Sequence, residues 1–213
     1  MKLSNFLLSI SFVPFALFAE ENTEQLSETL GHMIGQNLLR LDVKFDMPRL
    51  IKGIQEASLE KDPPMTEKEC IQALQSAQKK KFQEQGIENL KAAEKLLANH
   101  AKQENVISLE SGKVLYRILQ EGSGMQLEDH STPFVRYAMK NLDGSTLGPE
   151  ELEEPLSLDE TIPGLKAGMI GMKEGERRII YIHPDLAYGA TGFFLIPPNL
   201  LLIFEMELLK ANF

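Results

Sequence analysis

The stretch Tyr181–Leu209, YIHPDLAYGATGFFLIPPNLLLIFEMELL, decides how the chain folds. Its second apolar run puts Leu200, Leu202, Phe204, Met206 and Leu208 on one face and mixes Leu201, Ile203, Glu205, Glu207 and Leu209 on the other. A period of two with one wholly apolar face predicts a strand half buried against a core. Between the two apolar runs, Ala187–Gly192 and Ile196–Asn199 carry too much Gly and Pro for helix or ladder. They form an ordered loop that holds Tyr188 and Ile196 over the sheet. On composition alone, that loop is a hairpin connection with ordinary core aromatics.

Working back from this stretch, Glu176–His183 reads as a strand, and Thr161-Ile162-Pro163-Gly164 leads into a short helix ending near Gly171. Lys113–Leu119 is a strand followed by the turn Glu121–Gly124. In the strand Pro133–Lys140, Phe134, Arg136, Ala138 and Lys140 alternate with Val135, Tyr137 and Met139, and Asn141–Gly144 makes the next turn. Glu150–Glu154 reads as a solvated acidic loop before a short strand at Pro155–Leu158. An antiparallel sheet wrapped on one short helix follows, an α+β domain over residues 109–213.

The front half is helical. Leu26, Leu30, Met33, Ile34, Leu38 and Leu41 recur at helical spacing, with Gly31 and Gly35 beside the stripe. Asp46-Met47-Pro48 starts a second helix whose face carries Leu50, Ile51, Ile54 and Ala57. Two such short helices cannot bury their apolar faces alone. Residues 20–65 therefore read as a helical dimerisation module, with packing on the helix that follows as the alternative. After Asp62-Pro63-Pro64, Thr66–Glu69 is a capping box. It opens a long helix with sparse apolar residues and a single glycine, Gly86. Residues 66–108 read as a mostly solvated connecting helix and linker, the helix itself, to about Glu104, being about 58 Å long if unbroken.

Residues 1–19, MKLSNFLLSISFVPFALFA, have the charged start, apolar stretch and small closing residue of a secretory signal. That apolar stretch is shorter than the roughly 20 residues needed to span a bilayer, and no later segment is long enough. The mature chain is thus expected to be exported without membrane insertion, in the periplasm or associated with the outer membrane or cell surface. Its 43% apolar and 25% charged residues are those of a globular protein. The net charge of −9, or −10 once Lys2 leaves with the leader, argues against nucleic acid as a partner. One cysteine, Cys70, excludes an internal disulfide. His32, His100, His130 and His183 are scattered without ligand spacing, and no nucleophile motif or phosphate loop occurs, so neither metal nor cofactor is expected.

HPDLAYGATG followed by IPPNLLLIFEMELL resembles the closing segment of the FKBP-type peptidyl-prolyl cis–trans isomerases. KGIQEA, the double-Pro break, the Lys-rich helix and ENLKAAEKLLANH leading to SGKVLYRILQEGSG resemble the layout of the Mip-like members of that family. The resemblance implies an FKBP-like fold behind a helical dimer module, a homodimer, and an isomerase or a non-catalytic chaperone acting on proline-containing segments of folding proteins. Of the residues here, it implies that Tyr188, Ile162, Tyr137 and Phe204 serve the reaction. Leu147, Leu156, Leu165, Phe193 and Ile196 would line the substrate pocket. Several positions depart from the family pattern. Leu147-Gly148 replaces Phe-Asp, Leu156 a second Phe, Leu165 a Trp, and Thr161 a common Val. With the Asp that positions the Tyr137 partner missing, weak turnover is expected, with a gain on Leu147→Phe and Gly148→Asp together.

Overall fold

The computed structural model describes residues 16–212, with side chains from residue 22 onward. Most of the expected leader, residues 1–15, lies outside them. The chain divides into two compact units, residues 1–78 and 79–213. Among the described residues no helix is long and apolar enough to cross a membrane.

The first unit holds α1 (Ala16–Arg40), α2 (Met47–Ala57) and the opening turns of α3 (Glu67–His100). The α2 start falls where Asp46-Met47-Pro48 predicts it, with the Asp46 carboxylate accepting from the Arg49 amide at 3.2 Å. The capping box of α3 is formed: the Glu69 carboxylate accepts from the Thr66 amide at 2.8 Å, and the Thr66 hydroxyl accepts from the Glu69 amide at 3.3 Å. The predicted stripes are present and uncovered. Leu26, Leu30, Met33, Ile51 and Ile54 are each about half exposed or more, and α2 buries no residue. A groove of about 820 Å³ runs past Gly31, Gly35, Leu38, Leu39, Phe45 and Met47.

The second unit is a six-stranded antiparallel sheet with one short helix. Its strands are β1 (Ile107–Leu109), β2 (Val114–Gln120), β3 (Phe134–Lys140), β4 (Leu152–Pro155), β5 (Arg177–Ile182) and β6 (Leu202–Lys210), in the order β1-β2-β5-β6-β3-β4. β6 pairs with both β5 and β3, and its buried residues alternate as the sequence pattern requires: Leu202, Phe204, Met206 and Leu208 face the core. That core also takes Val114, Val135, Leu158, Ile180, Ile182 and the buried residues of α4 (Pro163–Met169), chiefly Leu165 and Met169. Arg178, buried on β5, ties the helix to the sheet by donating to the Gly168 carbonyl at 2.9 Å while pairing with buried Glu176.

Three elements differ from expectation, the first being β1, which pairs with β2 where residues up to 108 read as linker. β4 spans Leu152–Pro155, three residues before the predicted strand, because its acids have partners on β3. Glu153 lies opposite Arg136 and pairs with its guanidinium, which also reaches Glu207 on β6 at 3.0 Å. As an edge strand, β4 also tolerates Pro155 at its end. The third difference is α3, which is not solvated along its length. Beyond Lys79 it buries Ala93 and Leu97 against Leu115, Tyr181 and Leu201 on the sheet face opposite the main core. The mixed second face of β6, read as partly polar, is where Leu201 and Ile203 meet this helix.

Candidate functional site

The site lies where β3, β6, the start of α4 and the loop after β5 converge around a cavity of about 730 Å³. Period-two alternation on β3 turns Tyr137 and Met139 toward it, and Phe204 comes from the adjacent β6. The Tyr137 and Phe204 rings meet at 6.0 Å between centroids and 45° between planes. Ile162 precedes Pro163, whose fixed φ starts α4 and sets the Ile162 backbone at the cavity edge. Leu165, one turn on, forms the buried floor.

The loop after β5 is built from short turns, Pro184–Leu186 and Gly189–Thr191, as its Pro and Gly content demands. Reciprocal backbone hydrogen bonds between Phe193 and Ile196, at 3.0 and 2.8 Å, close a tight turn at its tip. Tyr188 stacks on Phe193 at 5.2 Å and 13°. The loop is fastened to α3: the Asn89 side chain donates to the Pro198 carbonyl at 2.8 Å, and the Asn199 side chain to the Gly86 carbonyl at 3.2 Å. A Cβ at Gly86 would stand 3.4 Å from the Pro198 side chain, in ordinary van der Waals contact, so helix and loop lie close there.

All nine site residues singled out in the sequence border this one cavity: Tyr137, Leu147, Leu156, Ile162, Leu165, Tyr188, Phe193, Ile196 and Phe204. Met139, Thr146, Pro149, Leu152, Phe194 and Leu195 join them, and sequence reasoning did not name these. Phe194 and Leu195 stand out at the rim, 92% and 77% exposed. No carboxylate, imidazole, amine or thiol lines the cavity, so it offers neither general acid–base nor nucleophilic chemistry at neutral pH. What it offers is an apolar enclosure with two tyrosines. Among the described residues, the Tyr188 hydroxyl and the Ile162 amide have no hydrogen-bond partner.

Position 148 holds no carboxylate, yet Tyr137 has one as its partner. Its hydroxyl donates to Glu154 Oε1 at 2.6 Å. Burial first, and then this bond, push the Tyr137 hydroxyl far above the ordinary phenol range. Reading Glu150–Glu154 as one solvated acidic run hid this residue. The signal was the alternation Leu152, Glu154, Leu156, which sets one acid on an otherwise apolar face. A second cluster also went unseen: Asp129, His130 and Asp159 converge at the surface. The Lys166 ammonium already fills it, 2.6 Å from Asp129 and 2.9 Å from Asp159, and holds both carboxyls below their usual range.

Known proteins resemble the chain over most of its length. Residues 123–209 match the family described as FKBP-type peptidyl-prolyl cis-trans isomerase, and residues 23–118 match the domain amino terminal to it. Peptidyl-prolyl cis-trans isomerase Mip of Chlamydia trachomatis is 40% identical over 195 residues, covering 90% of this chain and 79% of that protein. The FKBP-type isomerase FkpA of Escherichia coli is 30% identical over 206 residues, covering 91% of this chain and 76% of that protein. The crystal structure of Escherichia coli FkpA is similar at a TM-score of 0.73 and 28% identity, over 90% of this chain and 97% of that one. With both halves matched and the relatives aligned across nine-tenths of its length, the chain belongs to the FKBP-type peptidyl-prolyl cis–trans isomerases.

Proposed function

We propose that this protein binds proline-containing segments of exported, folding proteins in the cavity under Tyr188 and turns their X-Pro bonds. The observation that carries this reading is the cavity itself, large, apolar and free of ionised side chains. Rotation about X-Pro crosses a barrier of about 20 kcal/mol set by amide resonance. At the twisted transition state the amide has lost its charge separation, so moving it from water to an apolar enclosure lowers the barrier without acid, base or nucleophile. Tyr137, Phe204 and Ile196 enclose the prolyl ring, while the Tyr188 hydroxyl and Ile162 amide hold the carbonyls on either side of it. Leu147, Leu156 and Leu165 are smaller walls than aromatic rings, which leaves a wide cleft and favours binding over fast turnover. The leader at 1–19 and the bacterial relatives support export to the periplasm or cell surface, and the uncovered stripes of α1 and α2 support a homodimer.

The test is a protease-coupled assay on an Ala-Leu-Pro-Phe-type peptide. Catalytic amounts of the protein are expected to speed cis-to-trans conversion. Tyr188→Phe is expected to lower kcat/KM about three- to tenfold, the share of one hydrogen bond made to the twisted amide, with an unchanged melting temperature. The exposed rim of Phe193, Phe194 and Leu195 favours a second reading, a chaperone that binds unfolded chains without turning them over. Suppressed aggregation of an unfolded client with no acceleration of the peptide would select it.

A further inference from the structure

We propose that Glu154 is a positioning residue of this site, holding Tyr137 in place from behind the cavity wall. The inference rests on the isomerase reading above. Glu154 is not among the cavity residues; it reaches Tyr137 along β4. In the antiparallel pair, Tyr137 lies opposite Leu152 and Val135 opposite Glu154, so the acid sits one pleat along on the face that Tyr137 shares. Its neighbour Glu153 points to the other face and pairs with Arg136, so the two adjacent acids have separate tasks.

The bond has two consequences. A partly buried phenol must place its hydroxyl proton somewhere, and a carboxylate acceptor at 2.6 Å makes a short, charge-assisted bond that fixes both ring and proton. Because that proton is committed to Glu154, Tyr137 has none to donate to a substrate carbonyl. It presents its ring and the electron-rich side of its oxygen instead. Donation then falls to the Tyr188 hydroxyl and the Ile162 amide, which have no partner among the described residues. Within the site, Tyr137 shapes and Tyr188 binds.

Two measurements test this on the full chain. In the peptide assay, Glu154→Ala is expected to lower kcat about five- to tenfold with KM changed less than twofold. Glu154→Gln keeps an acceptor oxygen and recovers most of the loss. Glu153→Gln, on the other face, stays near wild type. In a Tyr137→Phe background, Glu154→Ala changes kcat less than twofold, since nothing remains to be held. A Glu154→Ala enzyme within twofold of wild type, or an equal loss in both backgrounds, overturns the proposal. The second measurement needs no activity: titration of 13C-labelled tyrosine by NMR. The chain has four tyrosines, and the Tyr137 signal is the one that Tyr137→Phe removes. The groups acting on that hydroxyl are Glu154 and, more weakly, Tyr188. With Glu154→Ala the Tyr137 signal is expected to begin ionising at lower pH than in wild type, and an unchanged onset overturns the proposal. If the wild-type protein shows no isomerase activity, the functional reading fails by itself, and the titration still decides whether Glu154 holds Tyr137.

Discussion

Gly148 shows how much one backbone angle decides. Its φ is +102°, a region that L-residues rarely adopt, although a side chain there would meet no neighbouring atom. The sequence alone suggests that an aspartate restored at this position, with Leu147→Phe, raises turnover. The structure removes both supports of that expectation, since aspartate would sit in strained backbone and Tyr137 already has the Glu154 carboxylate. Gly148→Asp is therefore expected to cost about 1–2 kcal/mol in stability without raising kcat/KM. Urea unfolding beside the peptide assay checks it, and a stable, faster Gly148→Asp protein would show that the loop changes its conformation to admit the acid. Leu147→Phe asks for no such angle, so of these two changes it alone keeps its rationale, a larger wall.

At the scale of elements, α3 and β4 are two that sequence reading placed imperfectly, for opposite reasons. β6 was legible because every second residue from Leu202 to Leu208 is apolar, and burial follows that alternation. β4 carries Glu153 and Glu154, and a charged run suggests solvent until the strand that neutralises it is in view. α3 docks through few and small residues, Gly86, Ala93 and Leu97, too sparse a stripe to stand out in a helix otherwise full of Lys, Glu and Gln. The nine cavity residues were found because a family resemblance indexed them, whereas Glu154 belongs to no such pattern and needed geometry. The docked half of α3 supports the site as well as the core, since Asn89 and Gly86 fasten the loop that carries Ile196. Leu97→Ala is expected to destabilise the second unit by about 2–4 kcal/mol, the usual range for emptying a buried leucine site. In urea unfolding, a loss below about 1 kcal/mol would mean that the helix lies on the sheet without being needed there.

At the scale of the molecule, the chain divides between Gln78 and Lys79. The cavity, its floor, its loop and the half-helix that fastens the loop all lie after Lys79. Before it lie helices whose apolar residues stay uncovered: Leu26, Leu30 and Met33 on α1, Ile51 and Ile54 on α2. Apolar faces of that extent are rarely left in water by a stable protein, and a second copy of the same stripes is the simplest cover. A chain beginning at Glu20 is expected to sediment as a dimer, and Met33→Glu, which places a charge in the α1 stripe, is expected to shift it toward monomer. A truncated chain beginning at Lys79 keeps every buried contact of α3 and is expected to be a folded monomer that still turns over the short peptide. One beginning at Val106 loses Ala93 and Leu97, bares Leu115, Tyr181 and Leu201, and is expected to unfold at lower urea. A dimeric chain from Lys79 would move the interface into the isomerase unit. A monomeric full chain would leave the helical stripes to clients instead, and the first unit would then serve as a binding surface for unfolded protein.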